Sequence, residues 1–80
     1  MSAFDLIGLI GSALILGTYA LTVAGSADAQ GPRALLGNFA GASLILVSLS
    51  HDWNLSAAVV EGAWATIALV GLVRVVWRAR

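Results

Sequence analysis

The sequence predicts an all-α integral membrane protein, a bundle of three helices that run up, down and up and pair with a second copy into a homodimer. Composition is the first observation behind this fold class. Hydrophobic residues occupy 60% of the 80 positions and charged residues only 10%. A soluble domain of this size cannot bury so much apolar surface in one core, whereas lipid can cover it. We therefore expect a single membrane domain over residues 1–80.

Three long apolar runs are the second observation, and they predict helices over about residues 4–24, 34–50 and 55–77. At a rise of about 1.5 Å per residue, each run spans the roughly 30 Å hydrocarbon layer, the second only just. The runs are continuous instead of alternating, which disfavours strands in lipid. The segments GSADAQGPR and HDWN are polar and predict the two turns.

The first apolar run has a competing interpretation, a cleavable signal peptide. Residues 1–5 contain no Lys or Arg, and the apolar run is longer than the core of a signal peptide. Both features disfavour cleavage, so the run is assigned to a transmembrane helix.

The basic residues predict the orientation. All four are arginines: Arg33, Arg74, Arg78 and Arg80. With three crossings, the first loop and the C-terminus share one side, and every arginine falls there. The positive-inside rule then places the N-terminus outside and the C-terminus in the cytoplasm. Four arginines are too few to neutralise phosphates along a nucleic acid, so no nucleic-acid partner is expected.

Small residues form strips on the predicted helices, and such strips let helix backbones approach closely. The first helix carries one at alternating spacings of four and three, and the second contains a GxxxG pattern. The predicted helix-packing residues are Ala13, Gly17, Gly37, Gly41 and Ala65. Two interpretations stay open: the three helices pack on one another, or at least one strip packs against a second copy.

Glu61 is the charged residue within the third apolar run. On a helical wheel it shares a face with alanines, so it is expected to point into protein instead of lipid. An isolated ionised carboxylate is costly in a membrane, so Glu61 should be protonated, paired or hydrated. It is either a proton, cation or solute site or a structural acid that donates a hydrogen bond. Asn38, Tyr19 and Trp64 are the other candidates for lining a solute cavity, and Asn38 is also expected to hydrogen-bond between helices.

Several kinds of chemistry are not indicated by the sequence. There is no cysteine and only one histidine, so no metal-ligand cluster is expected. No nucleophile with its base and no phosphate-binding loop can be identified. The sequence therefore predicts neither an enzyme nor a bound cofactor.

The three apolar segments resemble a family of small uncharacterised three-helix bacterial membrane proteins over essentially the whole chain. The segments are IGLIGSALILGTYAL, LLGNFAGASLILVSL and AAVVEGAWATIALVGLVR. More remotely, the layout is similar to SemiSWEET sugar transporters of the PQ-loop type. Those are three-helix chains with an outside N-terminus that pair around a central solute site. In that alignment Glu61 falls where they use an asparagine to hold sugar, while their first-helix Pro-Gln pair is absent and Ile45 replaces their sugar-contacting tryptophan.

The resemblance implies a bacterial inner-membrane protein that transports a small polar or cationic solute as a homodimer, with Glu61 lining the path. The alternative is an accessory or scaffolding subunit that packs against a larger membrane complex through its small-residue faces. The expected partners are the lipid bilayer and either a second copy or another membrane protein.

Overall fold

Three helices form the whole of the described structure, a computed structural model that covers residues 2–29 and 31–79. Helix α1 spans Ala3–Val23, α2 spans Pro32–His51 and α3 spans Leu55–Ala79. Each helix is long and apolar enough to cross a membrane. The predicted all-α class and the number of helices are thereby confirmed. Arg80, one of the residues behind the predicted orientation, lies outside the described residues.

The ends of α1 are defined by local hydrogen bonds. Ser2 and Asp5 form a capping box: the Ser2 hydroxyl accepts from the Asp5 N–H at 3.1 Å, and the Asp5 carboxylate accepts from the Ser2 N–H at 3.0 Å. At the other end Gly25 has a φ of 81°, which side chains disfavour. The N–H of Ser26 reaches back to the Leu21 carbonyl at 2.9 Å and ends the helix.

Helix α2 is longer than the predicted 34–50. It begins two residues earlier because Pro32, which the sequence suggested as part of the turn, occupies the first helical turn. Proline suits that position, since its φ is preset and its missing N–H is not needed there. The helix ends at His51, whose ring stacks on Phe4 with ring centres 4.6 Å apart. The His51 side chain therefore joins the end of α2 to the start of α1.

Helix α2 lies between the other two helices. It packs against α1 on one side and α3 on the other, and in the described ranges α1 and α3 do not contact each other. Its central position explains why its small residues are the most buried, with Ala34 2% exposed and Ala42 fully buried. The glycine contacts of α2 pair its start with the ends of α1 and α3, so neighbouring helices are antiparallel.

Two glycines bring the backbones of α1 and α2 into contact. A Cβ atom built on Gly11 would lie 2.6 Å from the Gly41 carbonyl oxygen, and one on Gly41 would lie 2.7 Å from the Gly11 oxygen. Neither position has room for a side chain. Gly37 meets Thr18 further along the same interface, and Gly8 meets Ser48 at its opposite end. The GxxxG pattern of α2 therefore packs within the chain.

The small-residue strip that the sequence predicts on α1 does not face α2. Ala13 and Gly17 are exposed, and nothing comes within 4 Å of a Cβ atom built on Gly17. The face that α1 presents to α2 instead contains Gly8, Gly11 and Thr18, because these residues match the glycines and serine of α2 in antiparallel register. Ala13 and Gly17 take no part in the packing of the residues that the structure describes, and they remain candidates for contact with another molecule.

We predict that Gly41→Ala lowers the free energy of unfolding, whereas Gly17→Ala does not. Both changes raise helix propensity equally, but only the first forces a methyl group into a backbone contact. Overpacking of this kind costs about 1 to 3 kcal/mol. Equilibrium unfolding in mixed micelles measures the difference, and equal stability of the two variants would contradict the Gly11–Gly41 contact.

Candidate functional site

One face of α3 packs against α2, and Glu61 belongs to it. Ala65 and Ala68 on this face are 8% and 3% exposed. The residues on the opposite side of the helix, including Val59 and Val73, are exposed. This is the division between small and branched residues that the helical wheel indicates. The buried or half-buried face of α3 comprises Ala58, Glu61, Ala65, Ala68, Leu72 and Val75.

The Glu61 carboxylate is half-buried, and its oxygen Oε2 is buried without a hydrogen-bond partner among the described residues. The antiparallel register places Glu61 near the level of Gly41, Ala42 and Ser43, and Oε2 accepts no hydrogen bond from any of them. A buried polar atom left unsatisfied costs about 1 to 3 kcal/mol. A proton, a cation or a donor from another molecule would remove that cost. Glu61 is therefore the residue of α3 best placed to receive one.

A hydrogen bond joins α2 to α3 one helical turn from Glu61. The indole Nε1 of Trp64 donates to the Asn38 Oδ1 at 3.2 Å. This is the bond between helices that the sequence predicts for Asn38. It holds the Trp64 ring along the seam between the two helices. Glu61, Asn38 and Trp64 consequently lie along the same seam, the last two in direct contact.

Tyr19 does not lie along this seam. Its side chain is 64% exposed on α1, and α1 does not contact α3 within the described residues. Three of the four residues predicted to line a cavity thus lie along the α2–α3 seam, and the fourth lies on a different helix.

A groove that the sequence analysis did not identify begins at the Asn38–Trp64 pair. It has a volume of about 480 Å³ and continues along α3 to Arg74 and Arg78. The sequence analysis used these arginines only for orientation. Arg74 and Arg78 are four residues apart, which places both side chains on one face of α3. This spacing is the sequence feature from which a shared role could have been inferred.

The Asn38–Trp64 bond can be measured by a double-mutant cycle. Trp64→Phe removes the donor and keeps an aromatic ring, and Asn38→Leu removes the acceptor at similar volume. We expect a coupling energy of about 0.6 kcal/mol, which is typical of bonds between helices in membranes. Unfolding in mixed micelles provides the four stabilities, and fully additive changes would show that the bond contributes nothing.

Comparison with known proteins places the chain in a family. No curated protein and no solved structure matches it, so the resemblance to SemiSWEET transporters gains no support from these comparisons. A family model of uncharacterised type matches residues 4–80, which is nearly the whole chain. The protein belongs to that family.

Proposed function

We propose that the protein is an inner-membrane transporter of SemiSWEET-like architecture, in which two copies carry a small polar or cationic solute past Glu61. The observation behind this proposal is the buried, unpartnered carboxylate oxygen in a helix long enough to span a membrane. An acid within such a helix is expensive to keep and usually marks an ion, proton or solute path.

The neighbours of Glu61 suit a small polar or cationic solute. A carboxylate accepts hydrogen bonds or binds a cation, and the Asn38 amide one turn away supplies both a donor and an acceptor. The Trp64 ring, one turn further along α3, offers an aromatic face, which favours a cation. These groups belong to two adjacent helices, so one solute can meet all three.

A second copy is needed to enclose a path. In the described part of the chain α1 and α3 do not meet, so the three helices form an open layer with α2 in the centre. One such layer leaves Glu61 partly open on one side. Two layers that face each other can close around it. The exposed Ala13–Gly17 strip of α1 offers a small-residue surface for such pairing.

The arginines support the proposed orientation of the protein in the membrane. Arg33 at the start of α2 and the pair Arg74 and Arg78 near the end of α3 lie at the same end of the antiparallel helices. The positive-inside rule assigns that end to the cytoplasm and the N-terminus to the outside.

Single cysteines test this orientation, because the chain contains none of its own. Ser26→Cys lies in the first loop and Asp52→Cys in the second, and both positions are exposed. An impermeant maleimide added to intact cells should label Asp52→Cys, and Ser26→Cys should react only after permeabilisation. The reverse pattern would invert the proposed orientation.

Glu61→Gln should abolish transport while the protein still folds, because Gln keeps the shape and hydrogen bonding of the side chain but cannot ionise. Protein in vesicles is assayed for proton flux with an enclosed pH dye and for uptake of radiolabelled methylammonium. Asp5→Asn is the matched control: it removes the same charge at an exposed helix end, where the Asn side-chain oxygen can still accept the hydrogen bond of the Ser2 N–H.

Wild-type flux no faster than that of protein-free vesicles, with both probes, would contradict transport of protons and small cations. The accessory-subunit function then becomes the better proposal, and the open strip at Ala13 and Gly17 is the observation that favours it. The oligomeric state of the purified protein in mild detergent distinguishes the transporter from the accessory subunit. A homodimer supports the transporter, and recovery with another membrane protein in fixed ratio supports the subunit.

A further inference from the structure

The groove along α3 is apolar for most of its length and basic at one end. It lies between the first turns of α2 and the C-terminal half of α3, and it starts at the Asn38–Trp64 pair. Arg74 and Arg78 line its far end. The apolar side chains between the two ends are Leu35, Ile67, Val70 and Val75.

The two arginines have no anionic partner in the described part of the chain. Both are exposed, neither forms an ion pair there, and the groove lining contains no acidic residue. A guanidinium presents several N–H donors in a planar fork that matches a phosphate group. Two of them one helical turn apart therefore form a site that is complementary to a phosphate.

The dimensions of the groove match one leaflet of a bilayer. Arg74 is ten residues from Trp64, which corresponds to about 15 Å along the helix axis. Half of the hydrocarbon layer is also about 15 Å thick. A lipid with its phosphate beside the arginines would therefore place an acyl chain along the whole apolar part of the groove.

We propose that this groove binds one anionic phospholipid from the leaflet on the arginine side. Arg74 and Arg78 bind the headgroup phosphate, and Ile67 and Val70 contact an acyl chain that ends near Trp64. Anionic lipids are attracted to basic residues at the cytoplasmic surface. The proposal requires the protein to lie in a membrane but does not depend on transport.

The positive charge of the groove makes a second copy of the chain a poorer occupant than an anionic lipid. Two parallel copies related by a twofold axis meet through identical surfaces. Pairing through the groove would thus bring two copies of Arg74 and two of Arg78 to the same depth in the membrane. Like charges placed together at an interface are unfavourable, whereas an anionic lipid neutralises them.

Quenching of Trp64 by brominated lipids tests the site. The variant Trp53→Phe/Trp77→Phe leaves Trp64 as the only tryptophan and changes only exposed positions. It is reconstituted in mixtures of phosphatidylcholine and phosphatidylglycerol in which one species carries bromine on its acyl chains. At equal mole fraction, brominated phosphatidylglycerol should quench Trp64 more than brominated phosphatidylcholine.

Substitution of the arginines shows whether the preference arises in the groove. Arg74→Gln and Arg78→Gln should each lower the relative affinity for phosphatidylglycerol by about fivefold. Arg33→Gln is the matched control, since it removes the same charge at the same end of the bundle but outside the groove lining. Circular dichroism and unfolding in micelles verify that each variant keeps its helices.

Three results would overturn the proposal. Equal quenching by the two lipids would show that the groove has no preference for an anionic headgroup. An equal loss of preference in Arg33→Gln would assign the effect to the general surface charge. Efficient disulfide formation between two copies of an Ile67→Cys variant would show that a second copy occupies the groove.

Discussion

The backbone contact between Gly11 and Gly41 is the constraint on which the arrangement of the helices depends. The carbonyl oxygen of each glycine lies within 2.7 Å of the position that a Cβ atom on the other glycine would occupy. Close approach without side chains gains van der Waals contact along both helices, which matters in a membrane because the hydrophobic effect does not drive helices together there. This contact fixes the rotation of α2 about its own axis.

The rotation of α2 in turn decides which residues face α3. With its glycine face turned to α1, α2 presents Leu35 to Gly71 and Asn38 to Trp64. The seam that contains Glu61 therefore follows from a glycine pair on the opposite side of the central helix. Glu61, the Asn38–Trp64 bond, a groove and two arginines all lie along this seam. The α2–α3 pair therefore carries both of the ligand sites proposed here, whereas the small-residue strip proposed for pairing lies on α1.

Much of this fold is predictable from the sequence, for identifiable reasons. Continuous apolar runs determine three helices, and the alternation of small and branched residues on α3 places Glu61 on the buried face. The packed face of α1 was not predictable, because α1 carries small residues on two faces. The contacts with α2 decide between the two faces. Gly11 and Thr18 meet residues of α2, whereas Ala13 and Gly17 do not. The groove was also missed, since it forms between two helices and no periodicity of a single helix encodes it.

Among the described residues α1 and α3 do not contact each other, and this has a consequence for the energetics of the bundle. Residues on helices that share no contact are coupled only through what lies between them, here α2. Free-energy changes from substitutions on the far sides of α1 and α3 should therefore add, as they do for distant, independent sites. A departure from additivity would measure how rigidly α2 transmits a displacement from one outer helix to the other. Within the described ranges, the central helix is thus the connection through which a displacement of α1 would reach α3.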